Sequence, residues 1–157
     1  MPHQRAGRKS LWRIGEIMLQ KQWITWSQLA AALSNQVIRK ELIGEILIDE
    51  KAITRQQVLK ALAIQCGVPF IQLDTLSIEP QALGAVPVHL VYQYRFMPVE
   101  LGQKYLTIAV SNPLNVFLLV LLSKMTNLEE IRLVVATAED IQKAIQHYYK
   151  DPVLYAA

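Results

Sequence analysis

With 157 residues, 52% of them hydrophobic, and a mean hydropathy of +0.21, the chain can bury one core or two small ones and is not a disordered polymer. Its formal charge of +3 lies wholly in Arg5, Arg8 and Lys9; from Trp12 onward 13 basic residues balance 13 acidic ones, which argues against a DNA-binding face, where Lys and Arg concentrate to neutralise phosphates. The longest apolar run, 116–122, falls far short of the roughly 20 residues a membrane-spanning helix needs, and the single cysteine, Cys66, excludes a disulfide framework and reads, among apolar neighbours, as a structural thiol.

Residues 1–11 read as a basic, flexible leader. The stretch that follows, IGEIMLQ, is amphipathic rather than a signal-peptide h-region, so the protein is expected in the cytoplasm. From 12 to 68 the chain repeats itself. Shifted by 29 residues, a first copy at 13–36 falls into step with a second at 42–65, with five residues between them. Ten of 24 positions are identical, among them Ile14/Ile43, Gly15/Gly44, Ile24/Ile53, Thr25/Thr54, Gln28/Gln57, Leu33/Leu62 and Gln36/Gln65.

Each copy predicts a helix through IGEIxL, a break, and a second helix opened by Ile-Thr-x-x-Gln, where threonine and glutamine at this spacing fit a capping box. Ile14, Ile17, Met18, Leu29, Ala32 and Leu33 share one helical spacing, and Ile43, Ile46, Leu47, Val58, Ala61 and Leu62 repeat it, so these stripes are core first. Duplication of a packing unit explains that much. It leaves open why Ile-Gly-Glu opens both copies: a glycine near a helix start costs roughly 1 kcal/mol against alanine, which points to a close approach by another helix or a ligand.

After Cys66-Gly67-Val68-Pro69 the pattern changes to a small α/β subdomain, 69–150, followed by a tail at 151–157. Strand-like runs lie at 70–73, 96–100, 104–110 and 131–136, and helical ones at 80–94, 114–124 and 138–149. Leu101-Gly102 predicts a hairpin, Asn112-Pro113 a helix start, and Thr137 the cap of the last helix. Tyr148-Tyr149 reads as packing. The expected fold class is mixed α+β: a four-helix tandem repeat, then the α/β part. His3, His89 and His147 have no metal-ligand spacing, no G-x-x-x-x-G-K-[ST] loop occurs, and no nucleophile–base pair or carboxylate dyad stands out, so no enzyme activity, metal or cofactor is expected.

The two copies resemble the MshEN pattern found in type II secretion and type IV pilus ATPases, a tandem 24-residue motif of Arg-Leu-Gly-x-x-apolar-apolar-x-x-Gly-apolar-apolar-x4-Leu-x3-Leu-x2-Gln with a five-residue spacer. The second half resembles the same family, with Ser111-Asn112-Pro113 where members more often carry Asp-Pro. The resemblance covers about 12–150 and implies that each copy holds half of cyclic di-GMP, a two-fold symmetric ligand. The residues it assigns to that ligand are Arg13, Ile14, Gly15, Met18, Leu19, Ile24, Leu29, Leu33 and Gln36 from the first copy, Leu42, Ile43, Gly44, Leu47, Ile48, Ile53, Val58, Leu62 and Gln65 from the second, and Asn112 from the second half. Two departures stand out. Leu42 replaces the second arginine, a loss that Arg39 or Lys40 is positioned in sequence to offset, and Gln22 and Lys51 replace the mid-motif glycine expected to form a left-handed helix cap. The partner implied is a secretion or pilus motor or platform protein, and the second function that fits is a docking domain with a degenerate ligand motif. The sequence leaves open whether the chain is free-standing or a piece of such an ATPase.

Overall fold

The computed structural model describes residues 13–149, and the chain divides into two units, 1–67 and 68–157. The leader and tail expected at 1–11 and 151–157 lie outside the described residues. In the first unit each copy folds as a short helix and a longer one: α1 (Ile14–Gln20) and α2 (Trp26–Arg39), then α3 (Ile43–Asp49) and α4 (Arg55–Cys66).

The longer helices start where threonine satisfies their first amides. Thr25 Oγ1 accepts from the Gln28 amide at 3.2 Å while Gln28 Oε1 accepts from the Thr25 amide at 2.9 Å, and Thr54 and Gln57 repeat the box at 3.2 and 3.1 Å. The short helices end in matching Schellman motifs. The Gln22 amide bonds to Leu19 O and the Trp23 amide to Met18 O, and Lys51 and Ala52 do the same to Ile48 O and Leu47 O. Gln22 and Lys51 therefore stand at φ 61° and 59°, the left-handed conformation expected of the missing glycines, at a cost of about 1 kcal/mol or more each.

Packing crosses between the copies: α1 lies against α4, and α2 against α3. One core results, built in register from Ile17, Met18, Ile24, Leu29 and Ala32 with Ile46, Leu47, Ile53, Val58 and Ala61. Each residue of the first set has its counterpart in the second 29 positions on.

The second unit is α+β, centred on β2 (Tyr105–Val110). This strand pairs antiparallel with β1 (Met97–Leu101) and parallel with β3 (Glu130–Val135), giving the order β1-β2-β3 with an irregularity between Pro98 and Glu100. The β1–β2 hairpin closes with the Gly102 amide on Tyr105 O at 2.9 Å, and a Cβ on Gly102 would stand 2.2 Å from the Tyr105 ring, so only glycine fits beneath it. The parallel pair needs a crossover, supplied by α7 (Val116–Thr126). Thr137 Oγ1 caps α8 (Ala138–Tyr148) by accepting from the Asp140 amide. Phe96, Met97, Leu106, Ile108, Leu122 and Ile141 lie in the core. The Tyr148 hydroxyl accepts from the Ile78 amide and the Tyr149 hydroxyl donates to Leu83 O, which makes the tyrosine pair packing residues.

Three local expectations change. The 70–73 run makes a single bridge, Phe70 to Val135, before a 3-10 turn at Leu73–Thr75, where the Thr75 hydroxyl bonds to Gln72 O and turns the chain out of extended backbone. The 80–94 helix is two, α5 (Pro80–Leu83) and α6 (Val88–Tyr94), because Pro87 at the cap of α6 holds the preceding residue out of the helical region. The crossover helix is capped by Asn115, whose Oδ1 accepts from the Leu118 amide, rather than by Asn112, whose Oδ1 accepts from the Leu114 amide and closes a turn just before it.

Candidate functional site

Burial divides the candidate ligand residues of the first unit into two classes. Gly15, Met18, Ile24 and Leu29, with Gly44, Leu47, Ile53 and Val58, are buried, and the larger of these form the shared core. They leave little surface open to a ligand. Arg13, Ile14, Leu19, Leu33, Gln36, Leu42, Ile43, Ile48, Leu62 and Gln65 are half-buried or exposed, so an incoming molecule can reach these. A helical stripe of one spacing serves core and surface alike, which is why the pattern did not separate them.

The glycines are explained by the helices. A Cβ on Gly15 would stand 3.0 Å from Leu29 Cδ1, and one on Gly44 2.9 Å from Val58 Cγ1. The close approach each allows is to the second helix of its own copy. Neither short helix has a side-chain cap, in contrast to the boxes on α2 and α4. Among the described residues, the amides of Ile43 and Gly44 have no acceptor.

The residue ahead of each short helix sits in the same backbone conformation, Arg13 at φ −66°, ψ 145° and Leu42 at φ −66°, ψ 140°. Among the described residues the Arg13 guanidinium has no ion pair and no hydrogen bond. Leu42 is 76% exposed. The Arg39 guanidinium, which the spacer offers as compensation, is held at 2.6 Å by both Asp49 and Glu41, which raise its pKa above the ordinary value. Lys40 caps α2 in the left-handed conformation and is exposed. The Gln36 side-chain Nε2 donates to Glu41 O at 3.0 Å, which ties the end of the first copy to the residue preceding Leu42.

Asn112 belongs to the second unit, where its turn accounts for its side chain. Cys66 is half-buried and burial pushes its thiol pKa up, as fits a structural rather than a reactive sulfur. Among the described residues no group of His, Cys, Asp and Glu is placed to hold a metal, and no helix is long and apolar enough to cross a membrane. Sequence reasoning passed over the exposed apolar residues Trp26, Val37 and Ile38 of α2, and Leu114, Val116, Phe117 and Val120 around the start of α7. For Trp26 the signal was present: the second copy has Arg55 at the equivalent position.

Against known proteins, the MshEN domain model matches residues 66–153. The chain belongs to the MshEN domain family. The matched residues lie almost wholly in the second unit, whereas the repeat that carried the sequence reading lies ahead of them. The type IV pilus assembly ATPase PilB of Myxococcus xanthus is 30% identical over 139 residues, covering 88% of this chain and 24% of PilB. Bacteriophage adsorption protein B of Escherichia coli K12 is 27% identical over 148 residues, 94% of this chain and 20% of that protein. The chain thus spans a quarter or less of the length of these relatives. Among solved structures, MshE with cdg shares the fold at a TM-score of 0.75 and 23% identity, covering 88% of this chain and 99% of that one. The N-terminal domain of XpsE does so at 0.61 and 15%, covering 89% and 96%.

Proposed function

We propose that the chain is a non-catalytic MshEN module that binds cyclic di-GMP in its tandem repeat and passes occupancy to a secretion or pilus motor. The observation that carries this reading is the duplicated frame. Two copies in matching backbone conformation share one core and keep a matching subset of motif residues at the surface: Ile14/Ile43, Leu19/Ile48, Leu33/Leu62 and Gln36/Gln65. A pseudo-two-fold protein surface suits a two-fold ligand. The fold shared with MshE in its structure with cdg supports the same ligand, and the PilB relative supports a motor as the context.

In this reading Arg13 supplies the polar anchor. A guanidinium carries parallel N–H donors that match the O6 and N7 acceptors of guanine, a contact worth about 1–3 kcal/mol. Calorimetric titration with cyclic di-GMP tests it directly: saturable binding is expected in the folded protein, with Arg13→Ala weakening it about 10- to 100-fold. Absence of heat and of any thermal stabilisation at large ligand excess overturns the reading. Unchanged affinity in Arg13→Ala overturns the role given to that residue.

One observation favours docking as a second function. Leu114, Val116, Phe117 and Val120 are 60%, 64%, 62% and 48% exposed around the start of one helix, an apolar surface of the kind that marks protein contacts. Phe117→Asp is expected to abolish capture by a purified motor or platform protein while leaving nucleotide binding intact.

A further inference from the structure

The two halves of the proposed nucleotide site differ in one chemical respect, and we infer that they read different bases: the module accepts a mixed cyclic dinucleotide, one guanine and one adenine, about as well as the di-guanine form. The inference rests on the cyclic-dinucleotide reading above.

The frames at 13 and 42 match to within a few degrees of φ and ψ, so the side chains at the two positions leave equivalent backbones. What differs is the side chain. Arg13 offers parallel N–H donors, which guanine satisfies with O6 and N7, whereas adenine presents N7 beside an amino group that is itself a donor. The first copy therefore selects guanine. Leu42, 76% exposed, has neither donor nor acceptor, and a hydrocarbon side chain touches the two purines on equal terms.

Arg39 and Lys40 flank Leu42 in sequence, and Arg55 stands on Glu45, three residues on, bound to both carboxylate oxygens at 2.9 and 3.0 Å; none of the three supplies the fork. Arg39 is committed to Glu41 and Asp49 at 2.6 Å each. Lys40 carries a single ammonium, a point charge without the planar pair of donors that tells O6 from N6. Of the rest of the spacer, Val37 and Ile38 are apolar at 78% and 81% exposure, and the Glu41 carboxylate is paired with Arg39. An arginine fork for guanine is thus built into one half of the site and absent from the other.

Titration of the full chain with three ligands tests this: cyclic di-GMP, the 3′,3′-linked mixed guanine–adenine dinucleotide, and cyclic di-AMP. The mixed ligand is expected within about threefold of cyclic di-GMP, and cyclic di-AMP about 10- to 100-fold weaker. Leu42→Arg, at an exposed position that leaves the core intact, is expected to separate the first two ligands by about tenfold or more. Arg13→Leu is expected to remove the preference against cyclic di-AMP. A wild-type chain that binds cyclic di-GMP but rejects the mixed ligand by tenfold or more overturns this inference alone, as does a Leu42→Arg chain whose ligand ratio stays at the wild-type value. A folded chain that binds none of the three overturns the nucleotide reading and this inference together.

Discussion

The two copies of the repeat share a fold and have parted in chemistry, and the changes of charge between them all lie outside the buried core. Five core positions pair in register, and both capping boxes and both left-handed turns are retained. Some exposed positions have diverged: Arg13 stands against Leu42, and Trp26 against Arg55, which pairs with Glu45 at 2.9 Å. Duplication conserves what each half needs from the other. It leaves the surface free to specialise.

Alanine at the paired glycines is the strongest test of that symmetry. Gly44→Ala drives a methyl to 2.9 Å from the stiff, β-branched Val58, whereas Gly15→Ala meets the far end of the more flexible Leu29 side chain at 3.0 Å. Overpacking costs about 1–3 kcal/mol, less roughly 1 kcal/mol recovered from helix propensity. Urea unfolding is therefore expected to show Gly44→Ala as the more destabilised of the two, with equal losses breaking the distinction drawn here.

The caps give a middle-sized effect and should not distinguish the copies. Thr25→Ala and Thr54→Ala each remove one box and are expected to cost about 1 kcal/mol. Thermal unfolding midpoints that fall by matching amounts sharpen the picture of a conserved frame; a loss confined to one copy breaks it.

The smallest effect belongs to the Arg55–Glu45 ion pair, where the first copy carries Trp26 in place of the arginine. Arg55, bonded to Glu45, holds that carboxyl below the ordinary glutamate pKa. A depressed carboxyl contributes stability above its unfolded pKa and loses it as pH falls through the folded one. Both groups are largely exposed, so the contribution is on the order of 0.2–1 kcal/mol. Arg55→Gln is expected to lower stability slightly near neutrality and to converge with the parent in acid, once the pH has fallen through the lowered pKa of Glu45. A difference that persists in acid assigns the effect to packing instead.

The helical repeat was legible because the sequence states it twice: a Thr-x-x-Gln box or a turn after IGEIxL is a weak signal once and a firm one in register. The second unit states each element once, and there the misreadings gathered, at Asn112, where a turn competed with a cap, and at 80–94, where Pro87 splits a helix. In the candidate site, residue types and spacing singled out the candidate positions, but periodicity cannot separate Met18 and Leu47 in the core from Leu33 and Leu42 at the surface. The commitment of Arg39 to Asp49 joins residues ten apart across a turn, and only the folded chain brings them together.

The exchange of helices between copies carries a consequence for ancestry. Since α1 rests on α4 and α2 on α3, a chain with one copy would expose most of the surface it must cover, and its self-sufficient form would be a pair of identical subunits. In such a pair any change appears on both sides at once. Fusing the two into one polypeptide removes that constraint, and only a fused chain can hold arginine in one half and leucine in the other.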